Sequence, residues 1–396
     1  MLLIKDSLPS TDIHQFKLSS VFIDESVSFS LTSETYADVD INFTLEYPKA
    51  KIPAGYCVTV HLFKNKHFSQ KDIIDLRVNE VSENSGKIGY FFRLDALFEK
   101  DVLQLNPHIY PYAYYAIEHL FSSETTLQTK PYELNSNPPV ISDFFDDDTI
   151  ILVICNEYAN VINDLIISNY LAPLFLNGFV KFENTKGIDV FNENDLIKIN
   201  FNGIKNIARP DGAYVLRLTS PIDLLSKETF IPYLYEYLLQ YKNDSITRFI
   251  TLYQIIEISI SKIFHLKVQT KVCANLNTLT SFKLKEFLGD IQKEKTRIVS
   301  LFNEYARPSA PLENLLKGAI KDFFIHVIDP DYADPVKNDE YTLADVFYDY
   351  RNKLVHNYRL VHTPGIDNQL TKDKMELINE LTEIFISQII TNFKIT

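Results

Sequence analysis

"SITRFITLYQIIEISISKIF", residues Ser245–Phe264, is the stretch that decides the fold of the C-terminal part of this chain. Its apolar side chains recur every three or four residues and share one face of a helix: Ile246, Phe249, Ile250, Tyr253, Ile256, Ile260 and Ile263. A helix with such a stripe must pack against other helices. Because this spacing continues from about Lys227 onward, we predict an all-α helical bundle over residues 227–396.

Further helices of the bundle are predicted near Leu284–Tyr305 and Leu312–Val327, and over Lys374–Phe393, from the same spacing of apolar residues. Another helix should begin at Thr342, because Thr342 followed by Asp345 resembles a capping box. That helix carries an unusual combination of Arg, Asn, Lys and His.

The first ~140 residues show a different period, the alternation of apolar and polar residues that is typical of half-buried strands. In "VDINFTLEY" the apolar residues at alternate positions from Val39 to Tyr47 fall on one face. "YCVTVHLF" from Tyr56 and "GYFFRL" from Gly89 are similar, and turn-forming stretches separate them. We therefore expect a β-rich, sandwich-like domain over residues 1–140.

Residues 141–226 are expected to be mixed α/β and either belong to the first domain or stand beside it. A Pro-Pro pair and the acidic run Asp143–Asp148 mark the boundary. The apolar run Ile150–Ile154 predicts a buried strand, Val161–Ile167 a helix, and "LIKINFNG" and "AYVLRL" further strands. The predicted fold class is thus multidomain α+β, with a β-rich N-terminal part and a helical C-terminal bundle.

The charge of the chain is unevenly distributed. The 396 residues carry a net charge of −13, of which −12 lies in residues 1–230, with 19 basic and 31 acidic residues. Residues 262–297, in contrast, contain eight basic and three acidic residues, a net of +5. This basic stretch, which includes Lys283 and Lys285, is either a solvated helix face or a contact for RNA phosphates.

The cysteines and the absence of known motifs argue against several classes of protein. Cys57, Cys155 and Cys273 form no CxxC pair, so we expect neither a disulfide framework nor a zinc site, and a reducing compartment. The apolar run at the N-terminus is shorter than the core of a signal peptide, and the run Thr149–Cys155 is too short to span a membrane. We therefore expect a cytoplasmic protein with no membrane partner. The acidic run is interpreted as a solvated loop in preference to a metal site. ATPase and zinc-hydrolase motifs are absent from the sequence.

The stretch "RNKLVHNY", Arg351–Tyr358, is where we expect chemistry. Cleavage of RNA without a metal needs a group that titrates near neutral pH, such as the imidazole of His356, and a fixed cation on the phosphate, such as Arg351. On an ideal helix Asn352 and His356 share a face, whereas Arg351 is offset from His356 by roughly 140°. Asn352 could hold either side chain in register.

The same residues could instead have purely structural, non-catalytic roles. Arg351 and His356 could belong to a solvated face, although Asp345 and Asp349 are poorly spaced to pair with Arg351. Tyr358 could be a packing aromatic and Asn352 an ordinary polar residue. Glu257, on an Ile-rich helix, is either exposed or a buried carboxylate that needs a partner such as Arg351 or His356.

The motif in its context resembles the HEPN superfamily, whose ribonucleases carry Arg, a polar residue, variable residues and His within a C-terminal helical bundle. "RNKLVHNY" resembles the Arg-x4-His-x-Tyr form of HEPN toxins, in which the tyrosine at the position of Tyr358 can be adenylylated. The helix around Tyr253, Gln254 and Glu257 resembles the first long HEPN helix. The resemblance covers residues 230–396.

The resemblance implies a catalytic set of Arg351, Asn352 and His356, with Tyr358 and Glu257 as supporting or modification sites. Lys353, Lys283 and Lys285 are the candidate RNA contacts. It further implies a homodimer with a composite active centre, no metal or other cofactor, and a 2′,3′-cyclic phosphate product. The expected biology is a toxin or anti-phage abortive-infection effector acting on tRNA or mRNA, with an antitoxin or a phage-derived trigger. The alternatives are a non-catalytic HEPN module for dimerisation and RNA or nucleotide binding, and a protein-binding adaptor.

Overall fold

The computed structural model describes most of the chain, in ranges separated by gaps. The described residues are 2–5, 13–23, 26–33, 41–45, 58–78, 87–98, 106–122, 126–127, 145–155, 165–182, 197–206, 214–218, 225, 228–241, 244–275, 277–278, 280–328, 341–356 and 368–393. Two compact units result: unit 1 comprises Met1–Ser220 and Pro232–Tyr241, and unit 2 comprises Pro221–Ile231 and Lys242–Thr396. The protein is therefore mixed α/β, with a β-rich N-terminal part followed by a helical C-terminal part.

Unit 1 contains two sheets. The first has the strand order β4-β3-β2-β1-β8, with β1 and β8 parallel and the other pairs antiparallel. Its strands are β1 (Leu2–Lys5), β2 (Ile13–Ile23), β3 (Ser26–Ser33), β4 (Ile41–Leu45) and β8 (Thr126–Leu127).

The second sheet has the order β10-β5-β9-β7-β6-β11, antiparallel except for the pair β6 and β11. Its strands are β5 (Val58–Lys64), β6 (Ile74–Val78), β7 (Lys87–Arg93), β9 (Ile150–Cys155), β10 (Val180–Phe182) and β11 (Tyr214–Leu218). Every residue of β9 is buried, as its continuous apolar run predicts for a strand covered on both faces.

A helix supplies much of the core of unit 1. Helix α1 (Tyr110–Ser122) packs against β2 of the first sheet and against β5 and β9 of the second. Its buried residues, including Ala113, Ile117 and Phe121, join one apolar cluster with Phe29 and Val153. The core of unit 1 is therefore formed by a helix as well as by strands, which the sandwich-like prediction did not include. Unit 1 also contains α2 (Leu171–Leu176) and α3 (Ile197–Lys205), and α4 (Phe230–Tyr233) includes residues of both units.

Two expectations for the middle region differ from the structure. The strand predicted in "LIKINFNG" is wrong, because this segment is helix α3. Its apolar residues Ile197, Phe201 and Ile204 are spaced i, i+4, i+7, so a helix fits the pattern as well as a strand does. The helix predicted over Val161–Ile167 falls largely outside the described residues, and a short 3₁₀ helix begins at Ile167.

Asp147 and Asp148 of the acidic run are exposed, as expected of a solvated loop, but ion pairs and a hydrogen bond also tie the run to the second sheet. Both Asp146 and Asp148 pair with the ammonium group of Lys64 at the end of β5, with the Asp146 oxygen 3.1 Å from Nζ. Arg93 Nη2 donates a hydrogen bond to the carbonyl oxygen of Asp147 over 3.0 Å. These carboxylates therefore hold the loop before β9 against the second sheet.

Unit 2 is helical. Its helices are α5 (Ser245–Lys267), α6 (Ser281–Gln292), α7 (Glu294–Ser300), α8 (Ala310–Phe323), α9 (Leu343–His356) and α10 (Asn368–Asn392), with π-helical turns at Val268–Val272, Leu301–Tyr305 and Phe324–Ile328. In unit 2, helices thus occur near each segment for which the sequence predicts them. Lys293, in an extended conformation, separates α6 from α7.

The core of unit 2 joins α5 to its neighbours. Phe249 and Tyr253 of α5 pack on Phe347 of α9, with ring centroids 5.8 and 6.1 Å apart. A buried ion pair joins Arg248 of α5 to Glu383 of α10. The predicted apolar stripe of α5 lies in this core except for Ile250, which is 43% exposed. Within the described residues, α5 with its π-helical extension is the one helix long and apolar enough to cross a membrane, and the burial of most of its stripe is consistent with a soluble protein.

A glycine is required where β7 meets β9. A Cβ on Gly89 would lie 2.1 Å from the carbonyl oxygen of Val153, so Gly89→Ala must push the two strands apart. We expect this variant to lose about 3 kcal/mol of unfolding free energy in urea titrations. The control is Gly318→Ala on α8, where the added Cβ meets no atom within 4 Å and should stabilise by about 1 kcal/mol. Equal midpoints for Gly89→Ala and the wild type would contradict the close approach.

The buried pair of α5 and α10 gives a second prediction. Glu383 is fully buried and Arg248 nearly so. Glu383→Leu leaves the guanidinium buried without its carboxylate, and should cost roughly 3–5 kcal/mol of unfolding free energy. The double variant Arg248→Met/Glu383→Leu removes both charges and should recover most of that loss, as measured by urea denaturation. A double variant as unstable as the single one would show that packing, and not the charge, is responsible.

Candidate functional site

Helix α9 positions the candidate residues. Its first turn is closed by a capping box, as predicted: the backbone N–H of Thr342 donates to Asp345 Oδ2 over 3.0 Å, and the N–H of Asp345 donates to Thr342 Oγ1 over 3.3 Å. One face of α9 is buried and consists of Leu343, Ala344, Val346, Phe347, Tyr350 and Leu354. Arg351 and Asn352 follow Tyr350 and lie at the edge of this face, partly exposed.

The guanidinium of Arg351 is surrounded by residues from α5, α7 and its own helix. It lies over the ring of Tyr253, with Cζ 5.3 Å from the ring centroid, a cation–π contact. Its Nη2 is 3.7 Å from Glu257 Oε1 and 3.6 Å from Glu294 Oε1. These are ion pairs at distances longer than a hydrogen bond. The side chain is 17% exposed, so solvent reaches part of it.

Asn352 holds one edge of Arg351. The Nη1 of Arg351 donates a hydrogen bond to Asn352 Oδ1 over 3.1 Å, which matches the expectation that Asn352 keeps a neighbouring side chain in register. The Nε of Arg351 is shielded from solvent and has no hydrogen-bond partner among the described residues. The guanidinium therefore keeps unused donors while its orientation is fixed from two sides.

Tyr253 and Glu294 are coupled to each other as well as to Arg351. The hydroxyl of Tyr253 donates to Glu294 Oε1 over 2.7 Å. Burial, and then this hydrogen bond to a carboxylate, raise the pKa of Tyr253 well above its ordinary value, whereas the charge of Arg351 acts in the opposite direction. The tyrosine is thus a neutral hydrogen-bond donor that fixes the Glu294 carboxylate beside the guanidinium.

The positions of the nearby carboxylates show which acidic residues pair with Arg351, a point that the sequence leaves open. Glu257 lies beside Arg351, but its side chain is about half exposed, so it is both a partner of Arg351 and accessible to solvent. Asp345 pairs with Lys295 over 2.9 Å. Burial raises the pKa of Asp349, and the charge of Lys295 opposes this effect. Sequence reasoning missed Glu294, since its distance along the chain from Arg351 leaves no spacing signal.

His356 is the last residue of α9, so Arg351, Asn352 and His356 share one helix. The His356 side chain and all of Tyr358 lie outside the described residues. The roles assigned to these two positions therefore remain predictions.

The candidate RNA contacts lie on two helices. Lys353 is on α9 and partly exposed, and Lys283 and Lys285 are on α6 and exposed. Several other lysines of the basic stretch are neutralised: Lys262 pairs with Glu228, Lys293 with Asp290 over 2.8 Å, and Lys295 with Asp345. Among the described residues, no group of three or more His, Cys, Asp and Glu is arranged to hold a metal ion.

The coupling of Tyr253 to Glu294 predicts a dependence of stability on pH. At neutral pH, Tyr253→Phe loses a hydrogen bond to a carboxylate and should cost about 1.5–3 kcal/mol of unfolding free energy. Above pH 10.0, the ordinary pKa of tyrosine, the unfolded chain releases this proton and folded wild-type protein keeps it. Wild-type stability therefore falls with pH through this group by about 1.4 kcal/mol per unit, and the variant lacks that contribution.

The difference between wild type and Tyr253→Phe should consequently shrink as pH rises above 10.0, in urea titrations at a series of pH values. A difference that stays constant with pH would contradict a raised Tyr253 pKa. Glu294→Gln is the matched variant, because it keeps an acceptor for the hydroxyl but removes the charge beside Arg351.

Comparisons with protein-family models, with curated proteins and with solved structures find no match for this chain.

Proposed function

We propose that the protein is a metal-independent endoribonuclease of the HEPN type, with Arg351, Asn352 and His356 as its catalytic set and unit 2 as its HEPN-type bundle. The observation that supports this most is the guanidinium of Arg351. It is held on the Tyr253 ring, oriented by Asn352, partly exposed, and carried by the helix that ends at His356.

The chemistry follows from the side chains. The 2′-oxygen of a ribose attacks the adjacent phosphorus, the bond to the 5′-oxygen breaks, and the products are a 2′,3′-cyclic phosphate and a 5′-hydroxyl. Negative charge grows on the phosphate oxygens in the transition state, and the Arg351 guanidinium, which stays protonated, stabilises it. The His356 imidazole takes the proton from the 2′-hydroxyl or delivers one to the leaving oxygen.

A second copy of the chain completes the centre in this proposal. On one helix Arg351 and His356 are offset by roughly 140°, so a single protomer is poorly suited to bring both groups to one phosphate. In a two-fold symmetric dimer the arginine of one protomer can meet the histidine of its partner. The motif, by its resemblance to HEPN ribonucleases, supports such a composite centre.

The biological role proposed is that of a toxin or anti-phage effector in the cytoplasm, in which the N-terminal part senses a trigger or restrains the nuclease. The support is the charge contrast, −12 in residues 1–230 against +5 in residues 262–297. An acidic N-terminal part can compete with RNA for a basic face. An antitoxin or a phage-derived molecule would act by changing this competition.

One observation favours the alternative of a non-catalytic HEPN module that dimerises and binds RNA or nucleotides. Two carboxylates, those of Glu257 and Glu294, face the guanidinium of Arg351. They already compensate its charge, and a phosphate must compete with them. In this alternative Arg351 is a structural cation that ties α9 to α5 and α7.

Incubation of the purified protein with total RNA in EDTA tests the proposal. Wild type should cleave RNA to products with a 2′,3′-cyclic phosphate, and Arg351→Ala and His356→Ala should each lose at least about 100-fold in rate. The matched controls are Arg307→Ala and His326→Ala, because both residues are exposed on unit 2 and lie outside the site.

Cleavage that requires a divalent cation, or that both active-site variants retain, would contradict the assignment. RNA binding that depends on Arg351, without cleavage, would instead favour the non-catalytic module.

A further inference from the structure

Phe282 is a large apolar side chain on the solvent-exposed side of helix α6. It is 77% exposed, more than any other large apolar residue in the described part of the chain. The other apolar residues of α6, Leu284, Phe287, Leu288 and Ile291, share one face, on which Ile291 is buried and the other three are partly exposed. Phe282 lies opposite that face, so core packing does not explain it.

Two lysines without an ion pair among the described residues closely follow this ring in the sequence. Lys283 and Lys285 are exposed, and no ion pair or hydrogen bond of either ammonium group is found within the described residues. This distinguishes them from Lys262, Lys293 and Lys295 of the same basic stretch, which are paired. An aromatic ring between lysines in an otherwise acidic protein is complementary to a strand with bases and phosphates.

The ring is within reach of the candidate catalytic residue. Helix α6 ends at Gln292, Lys293 follows, and Glu294 lies beside Arg351. Ten residues of helix span about 15 Å, so Phe282 lies within about 20 Å of Glu294 along the chain. At about 3.4 Å per stacked nucleotide, some five or six nucleotides cover that distance.

We propose that the first turn of α6 is a docking element for single-stranded RNA, in which Phe282 stacks on an unpaired base and Lys283 and Lys285 contact the flanking phosphates. This rests on the proposed ribonuclease function and specifies its substrate as unpaired RNA. Glu286, one turn after Phe282 on the same side, disfavours a phosphate over the ring and can accept a hydrogen bond from the amino group of a base.

A membrane surface fits this element less well. Interfacial helices insert a continuous apolar face into the bilayer, but the apolar residues Leu284, Phe287, Leu288 and Ile291 lie on the side of α6 opposite Phe282 and are buried or partly buried. On the side of α6 that carries Phe282, the apolar surface is a single ring between two lysines. Stacking on one base needs no larger apolar area.

The absence of tryptophan from the sequence makes the test specific. Phe282→Trp introduces a single tryptophan into the 396-residue chain, at the proposed stacking position. Titration with single-stranded oligocytidylate, 2′-O-methylated so that it resists cleavage, should quench its emission. Leu315→Trp, at a 52% exposed position of α8, is the matched control and should not respond.

Affinity measurements with the same oligonucleotide distinguish stacking by Phe282 from phosphate contacts by Lys283 and Lys285. Phe282→Ala should bind roughly 5- to 100-fold more weakly, whereas Phe282→Tyr should bind like the wild type. Lys283→Ala/Lys285→Ala should reduce the slope of log K against log salt concentration by about 1.4. Lys317→Ala/Lys372→Ala, with the same change of charge elsewhere on unit 2, should leave the slope unchanged.

Unaltered emission of the Phe282→Trp protein with single-stranded RNA would overturn the proposal. So would an equal response to duplex RNA, or a blue shift with phosphatidylglycerol vesicles in place of a response to RNA. The outcome is distinguishable from failure of the nuclease assignment. Cleavage that needs Arg351 and His356 but not Phe282 would remove the docking element alone, and quenching without any cleavage would remove the nuclease alone.

Discussion

The aromatic contact between α5 and α9 is the constraint on which the candidate site depends. Tyr350 is fully buried, and its ring packs edge-on against Phe249 and Phe323, with centroids 4.8 and 5.0 Å apart. Enclosing so large a side chain fixes the rotation of α9 about its axis. Arg351, the next residue, must then leave the core at its edge, where Tyr253 supplies a ring for its guanidinium. Packing of neutral rings thus decides where a charge is presented.

The surroundings of that charge serve two purposes. Tyr253, Asn352 and two carboxylates restrict the guanidinium to one orientation, and a fixed cation needs no reorganisation when charge develops nearby. The same carboxylates reduce the attraction for an incoming phosphate. Because the ion pairs at 3.6 and 3.7 Å are not hydrogen bonds, an anion that forms bidentate hydrogen bonds has a geometric advantage over them.

Net charge is a poor guide to the surface that RNA would meet. The basic stretch 262–297 has a net charge of +5, but Asp290, Glu228 and Asp345 pair with three of its lysines. Lys267 of the same stretch pairs with Glu304. Lys283 and Lys285, for which no ion pair is found among the described residues, lie near the start of α6. Local pairing, which the composition does not reveal, thus reduces the number of cations that are available to RNA phosphates.

The sequence by itself determined the elements with a clear local pattern. These are the alternating strands β4, β5 and β7, the continuous apolar strand β9, helix α5, and the capped start of α9, with Arg351, Asn352 and His356 on one helix. These features depend on neighbours within a few residues, which the sequence states directly. Only the tertiary structure decided that "LIKINFNG" is helix α3, that Lys64 holds Asp146 and Asp148, and that Glu294 stands beside Arg351. Such contacts join residues far apart in the chain, and they arise from how whole elements pack.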